Sequence, residues 1–256
     1  MKRNKIRKIL AIIIPVIVIV GSGFIYIRFT EPKAKVGVLN IDGEISSFKY
    51  ANLAEEAIED SSIKAVVLKI NSAGGTVTGT FQTEHSVSKL AKEKPVIANL
   101  EELAASGAYV VASAADNIYA YEHTVTAGLG VIAMWVDYEN YFEEKGIKYH
   151  IWKTGEQKDM FAPWRGPSEE ENAYIQELVE NFEIELYNRI TQNRPETTSQ
   201  IDTVKDGSTV YGSTALQLNL VDEIGNHEDA VKEAAKQAGL KKGKYKKVNL
   251  SNYFEN

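Results

Sequence analysis

Hydrophobic positions fall into three kinds of run along this chain. The first is an uncharged stretch from Ile9 to Ile27, long enough for a helix to span a bilayer. Glu31-Pro32-Lys33 closes it with a proline and charge. The second kind is short, rich in β-branched residues and ended by turn residues: "KVGVLNIDG" from Lys35, "IKAVVLKINSAGG" from Ile63 and "PVIANLEE" from Pro95. These predict strands, with Pro95 at a first position where its missing N–H does little harm. The third kind recurs at helical spacing, in residues 47–60 and 80–94. A small-residue helix follows over Ala105–Ala115, then short strands near 117–121 and 130–136, a helix near 138–146 and a strand over 147–155. Ser168, followed by Glu169, Glu170 and Glu171, predicts an N-cap with acids in the first turn of a long helix reaching about Gln192. Beyond it lie a strand-like 208–212, helices over 213–218 and 228–238, and a lysine-rich "LKKGKYKKVNL" that suits an edge strand.

Strands alternating with helices predict an α/β domain. The organisation read from these runs is a basic segment 1–8, a transmembrane anchor 9–28, a linker 29–34, a folded body 35–240 and a lysine-rich segment 241–256. Charge adds orientation. Six basic and no acidic residues lie in 1–30, leaving 23 basic against 35 acidic in the remainder. The heavier positive flank, Lys2 to Lys8, places the N-terminus in the cytoplasm and the body outside the cell membrane. A cleaved signal peptide ending near Gly21-Ser22-Gly23 is the rival; the apolar residues Phe24 to Ile27 beyond that site favour an uncleaved anchor. An acidic body argues against a nucleic-acid partner. The terminal lysines suit solvent or anionic lipid headgroups.

Candidate chemistry begins with Ser106, between Ala105 and Gly107, where the strand from Pro95 turns into a helix. A hydroxyl there shares its space with the free N–H groups of a first helical turn; the alternative is a serine that only caps the helix. "NSAGG", residues 71–75, follows a strand, and its glycines let backbone N–H groups approach a ligand. A serine nucleophile needs a base. None of His85, His123, His150 and His227 is clearly placed for that work. Lys158 follows a predicted strand and precedes Met160, Phe161 and Trp164, which could desolvate its amine, although Glu156 and Asp159 stand close in sequence.

Together "NSAGG", "LAASGAYVVASAAD", "TVTAGLGVI", "TGEQKDMFAPWR" and "DGSTVYGSTALQLNLVDEIG" resemble the signal peptide peptidase A family of membrane-bound serine proteases, in its half-length form, over roughly residues 35–235. The resemblance implies a Clp protease/crotonase-like fold and a Ser/Lys dyad, with Ser106 as nucleophile and Lys158 as general base. It implies backbone oxyanion donors at Gly75, with Gly74 beside it, and at Gly107. It also implies a homo-oligomeric ring whose neighbouring protomers share each site, peptide substrates such as remnant signal peptides, and no metal or organic cofactor. Three positions depart from the family pattern: Ala73 replaces a proline, Gly128 a serine that would orient the lysine, and Ser208 a frequent arginine. Ala73 and Gly128 support an alternative, a weak or inactive relative that acts as a peptide-binding or membrane-protein scaffold. A Ser/His/Asp triad is disfavoured because "AGLGV" holds glycine and leucine where its histidine would fall. A crotonase-type thioester enzyme is disfavoured by the anchor and Lys158.

Overall fold

The computed structural model describes residues 34–254, so the predicted anchor, 9–28, lies outside the described residues. Among those described, no helix is long and apolar enough to cross a membrane. The frame is β1 (Ala34–Asp42), α1 (Lys49–Glu59), β2 (Ile63–Ser72), α2 (Val77–Glu93), β3 (Val96–Ala105) and α3 (Gly107–Ser113). Strands β1, β2 and β3 pair in parallel, with Val38 opposite Val67 and Leu68 opposite Ala98. They are near-continuous apolar runs because helices cover both faces of a parallel sheet. Leu39, Ile41, Leu68, Ile70 and Leu100 point into one core with α1 and α2. Val36, Ala65, Val67 and Ile97 point into a second, under α7 (His227–Gln237).

Strand β3 forks. Its first half pairs in parallel with β4 (Asn117–Ala120) and its last three residues with β5 (Val125–Ala127). Antiparallel β6 (Thr209–Tyr211) borders β5, and β7 (Glu223–Ile224) pairs with β4. The carboxyl ends of β2, β3 and β5 therefore meet at one place, where ligands of parallel sheets bind. The remaining elements are α4 (Glu139–Glu144), α5 (Glu169–Asn193), α6 (Gly212–Gln217), β8 (Tyr245–Asn249), α8 (Leu250–Phe254) and 3-10 turns over Glu156–Asp159, Pro195–Thr197 and Ile201–Val204. Ser168 caps α5 through a reciprocal box with Glu171, as the serine and its following acids predict.

Two expectations need correction. The strands predicted over 130–136 and 147–155 do not form, because among the described residues no strand lies beside either segment, and their apolar side chains stand in the open: Ile132 and Trp152 are each 89% exposed. The helix predicted from Ala105 begins at Gly107, since Ala104 and Ala105 are held in the sheet by Thr126 and Ala127. The lysine-rich end forms the edge strand expected of it: β8 pairs in parallel with β1 at the sheet edge, and α8 packs back on β1 and α1.

Candidate active site

The loop after β2 is pinned by its own backbone. Ser72 Oγ donates to Gly43 O and accepts from Gly74 N, while Ile45 N donates to Gly74 O at 2.9 Å and Thr76 N to Ile45 O at 3.1 Å. In this parallel bridge the N–H of Gly75 faces away from Ile45 and has no acceptor among the described residues. Gly75 is required by space, since a Cβ there would lie 2.2 Å from Ile45 O. Gly74, at φ +105°, is required by conformation, and a Cβ on it would lie 2.8 Å from Gly107 N. The loop thus rests against the first N–H of α3, which as a helix start has no intrahelical partner. Gly75 and Gly107 present free donors, whereas the N–H of Gly74 is already held by Ser72.

Ser106 joins β3 to α3 at φ 53°, ψ −126°, a region that favours glycine. Its N–H donates to Ala127 O at 2.7 Å, and its carbonyl accepts from Tyr109 and Val110. Both anchors are buried: Tyr109 is fully buried with its hydroxyl on Leu220 O, and Ala127 is the buried last residue of β5. The side chain makes no capping hydrogen bond, so this serine is not a simple cap; its nearest partner is Gly130 O at 3.5 Å. Gly130 comes that close because Ala127 and Gly128 both take positive φ, 65° and 58°, and turn the chain after β5.

Ser106, Gly107 and Gly75 open on a cleft of about 170 Å³ walled by Val77, Phe81, Val131, Ile132 and Leu186. A second apolar cavity of about 250 Å³ shares Val77, Val131 and Ile132 and continues to Phe161, Tyr174 and Phe182. No histidine lines either.

Lys158 is exposed on the 3-10 turn and lines a separate open recess with Thr154 to Gln157, so a single chain does not bring it into the Ser106 cleft. Asp159 faces elsewhere: its carboxylate takes Lys153 Nζ at 2.7 Å and Arg165 at 3.0 Å. Arg165, which the sequence reading passed over, also forks onto Glu171 at 2.6 and 2.7 Å and stacks over Trp135 at 5.1 Å. The Arg165 guanidinium, then Lys153, holds the Asp159 carboxyl well below the usual carboxylate range. Arg165, with the Ser168 N–H, lowers Glu171 to about 2. The turn that carries Lys158 is fastened from behind, and no carboxylate forms an ion pair with its amine among the described residues. Nor do the described residues contain a cluster that could hold a metal ion.

Comparison with known proteins agrees with the motifs. The profile of peptidase family S49 matches residues 88–241. Protease 4 of Haemophilus influenzae is 30% identical over 213 residues, covering 78% of this chain and 34% of that protein. The chloroplastic serine protease SPPA of Arabidopsis thaliana is 25% identical over 216 residues, 81% of this chain and 32% of its own. Relatives from Methanocaldococcus jannaschii and Enterococcus faecium, 33% and 34% identical, are spanned over 61% and 53% of their length. The membrane-bound stomatin-specific protease 1510-N, solved as a variant with a substrate peptide, shares the fold: TM-score 0.50, 13% identity, 79% of this chain and 80% of that one. This α/β chain, with its parallel-rich sheet and its serine at the meeting point of three strands, belongs to peptidase family S49.

Proposed function

We propose that the protein is a membrane-anchored serine endopeptidase that degrades extended peptides, remnant signal peptides among them, at the outer face of the cytoplasmic membrane. The observation that carries this is Ser106 itself, held at positive φ beside two unpaired backbone N–H groups and above a cleft. A Ser/Lys dyad does the chemistry. Lys158, its amine desolvated in a contact between chains, takes the proton from Ser106 Oγ as the oxygen attacks a peptide carbonyl. Gly75 and Gly107 N–H groups bind the oxyanion, a contribution worth roughly 3 to 4 kcal/mol per donor in the transition state. The protonated amine then gives its proton to the leaving nitrogen, and water, activated by the same amine, releases the acyl group.

The dyad is assembled between neighbouring protomers of a homo-oligomeric ring. Two features support this: Lys158 and Ser106 line different recesses of one chain, and the arm from Val131 to Phe161 exposes Ile132, Met134, Trp152 and Phe161. Exposed apolar side chains in that number suit a contact with another chain. Substrate enters extended, because the backbone from Gly130 to Met134 makes no backbone hydrogen bond among the described residues and is free to pair with a peptide strand. Residues 9–28 hold the body against the bilayer.

The test compares hydrolysis of a fluorogenic peptide by the full chain, Ser106→Ala and Lys158→Ala. Both variants are expected to lose activity, and a fully active Lys158→Ala rules out the base assignment. Ala73 and Gly128 favour the second reading, a scaffold that binds peptides without cutting them. A fluorophosphonate probe separates the two, since it labels Ser106 only where the hydroxyl is activated.

A further inference from the structure

Helix α2 carries two buried threonines whose hydroxyls meet different fates. Thr83 donates to Gly79 O at 2.8 Å, one turn back, as helical threonines commonly do. Thr80 is 3% exposed and its N–H donates to Thr76 O, yet among the described residues its Oγ1 has no hydrogen-bond partner. It is turned toward Gly107 instead: a Cβ on Gly107 would stand 2.3 Å from that oxygen. Thr80 belongs to the wall of the Ser106 cleft, among the apolar Val77, Phe81, Val131, Ile132 and Leu186. The neighbouring Thr76 hydroxyl is occupied, accepting from Gly79 N at 3.2 Å. A buried hydroxyl without a partner is costly and uncommon. This one lies against Gly107, beside Ser106, at the wall of the cleft.

We propose that Thr80 is a specificity-determining residue, whose hydroxyl hydrogen-bonds the side chain of the substrate residue on the acyl side of the scissile bond and selects serine there. This rests on the peptidase reading of Ser106. A threonine hydroxyl both donates and accepts, so it satisfies a serine hydroxyl, whereas an aliphatic side chain leaves it unpaired.

The experiment measures kcat/KM of the full chain on two peptides that differ only at this residue, serine in one and the isosteric α-aminobutyrate in the other. Wild type is expected to favour serine by about tenfold, equivalent to ~1.4 kcal/mol. Thr80→Val is expected to bring the ratio to about one, and Thr80→Ser to restore the preference. Thr80→Val is also expected to melt at a higher temperature than wild type, because it replaces an unpaired buried hydroxyl with a methyl group of the same shape. Cleavage with the same ratio in wild type and Thr80→Val overturns this proposal and leaves the peptidase reading standing. Failure of wild type to cleave either peptide overturns the peptidase reading, and this proposal with it.

Discussion

Replacing Ser106 by glycine is expected to make the protein more stable and inactive. Ser106 sits at φ 53°, ψ −126°, held there by hydrogen bonds at its N–H and carbonyl rather than by its own side chain. A non-glycine residue in such a region costs of order 1 to 3 kcal/mol. Glycine removes that cost but loses about 0.5 to 1 kcal/mol more backbone entropy on folding. The hydroxyl offsets little, because 3.5 Å to Gly130 O is at the limit of a hydrogen bond. The net gain is about 1 kcal/mol, which for a domain of this size raises the melting midpoint by roughly 2 to 4 °C. Ser106→Ala is the control: it removes the same hydroxyl and keeps the strained backbone, so its midpoint should stay near that of wild type. Thermal unfolding of the full chain in detergent, followed by circular dichroism, reads all three proteins side by side. A Ser106→Gly midpoint equal to or below that of Ser106→Ala would refute the view that strain is stored at Ser106.

Two further outcomes follow from the geometry. Gly75→Ala forces a Cβ to within 2.2 Å of Ile45 O, so it is expected to cost ~2 kcal/mol of stability and to cut peptide hydrolysis at least about 100-fold by displacing a donor; a midpoint and a rate near wild type would contradict the loop assignment. Arg165→Gln should lower the melting midpoint and, by loosening the Lys158 turn, the rate of hydrolysis. Glu171 and Asp159 have depressed folded-state pKa values, so the stability they contribute through Arg165 is fully present above the ordinary carboxylate range and is lost as pH falls through the folded values. The midpoint gap between wild type and Arg165→Gln should therefore hold constant from about pH 7 to 5, narrow below about pH 4 and close only at about pH 2 and below. A gap that closes near neutrality would point to another group.

The framework from β1 to β3 was legible because each run of "KVGVLNIDG", "AVVLKI" and "VIANL" carries its burial in its own residues. The segments 130–136 and 147–155 look like the same thing but are not strands. β propensity measures fit to a pleated, half-buried surface, and a single chain offers these residues no such surface. Strand β5 is only three residues long and passes for a turn. At the site, residue types were readable and conformations were not. Ser106, Gly74, Gly75, Gly107 and Lys158 stand out as letters, but nothing in "LAASGAYV" announces a serine at positive φ. Nor does "SAGG" reveal that Gly74 spends its N–H on Ser72. The acids beside Lys158 raised a question that only the fold answers, because Asp159 is occupied by Lys153 and Arg165, each six residues away. The Thr80 hydroxyl leaves no trace in the sequence; its neighbour in space is Gly107, on another element.

The central claim is that catalysis needs the Ser106 hydroxyl of one chain and the Lys158 amine of another. Co-expressing Ser106→Ala and Lys158→Ala chains and measuring peptide hydrolysis by the mixed assembly tests it most directly. Each variant alone should be inactive, and the mixture should recover up to about a quarter of wild-type activity, the share of sites that random head-to-tail assembly gives both groups. A mixture as inactive as its parts, or full activity in Lys158→Ala alone, would contradict the account.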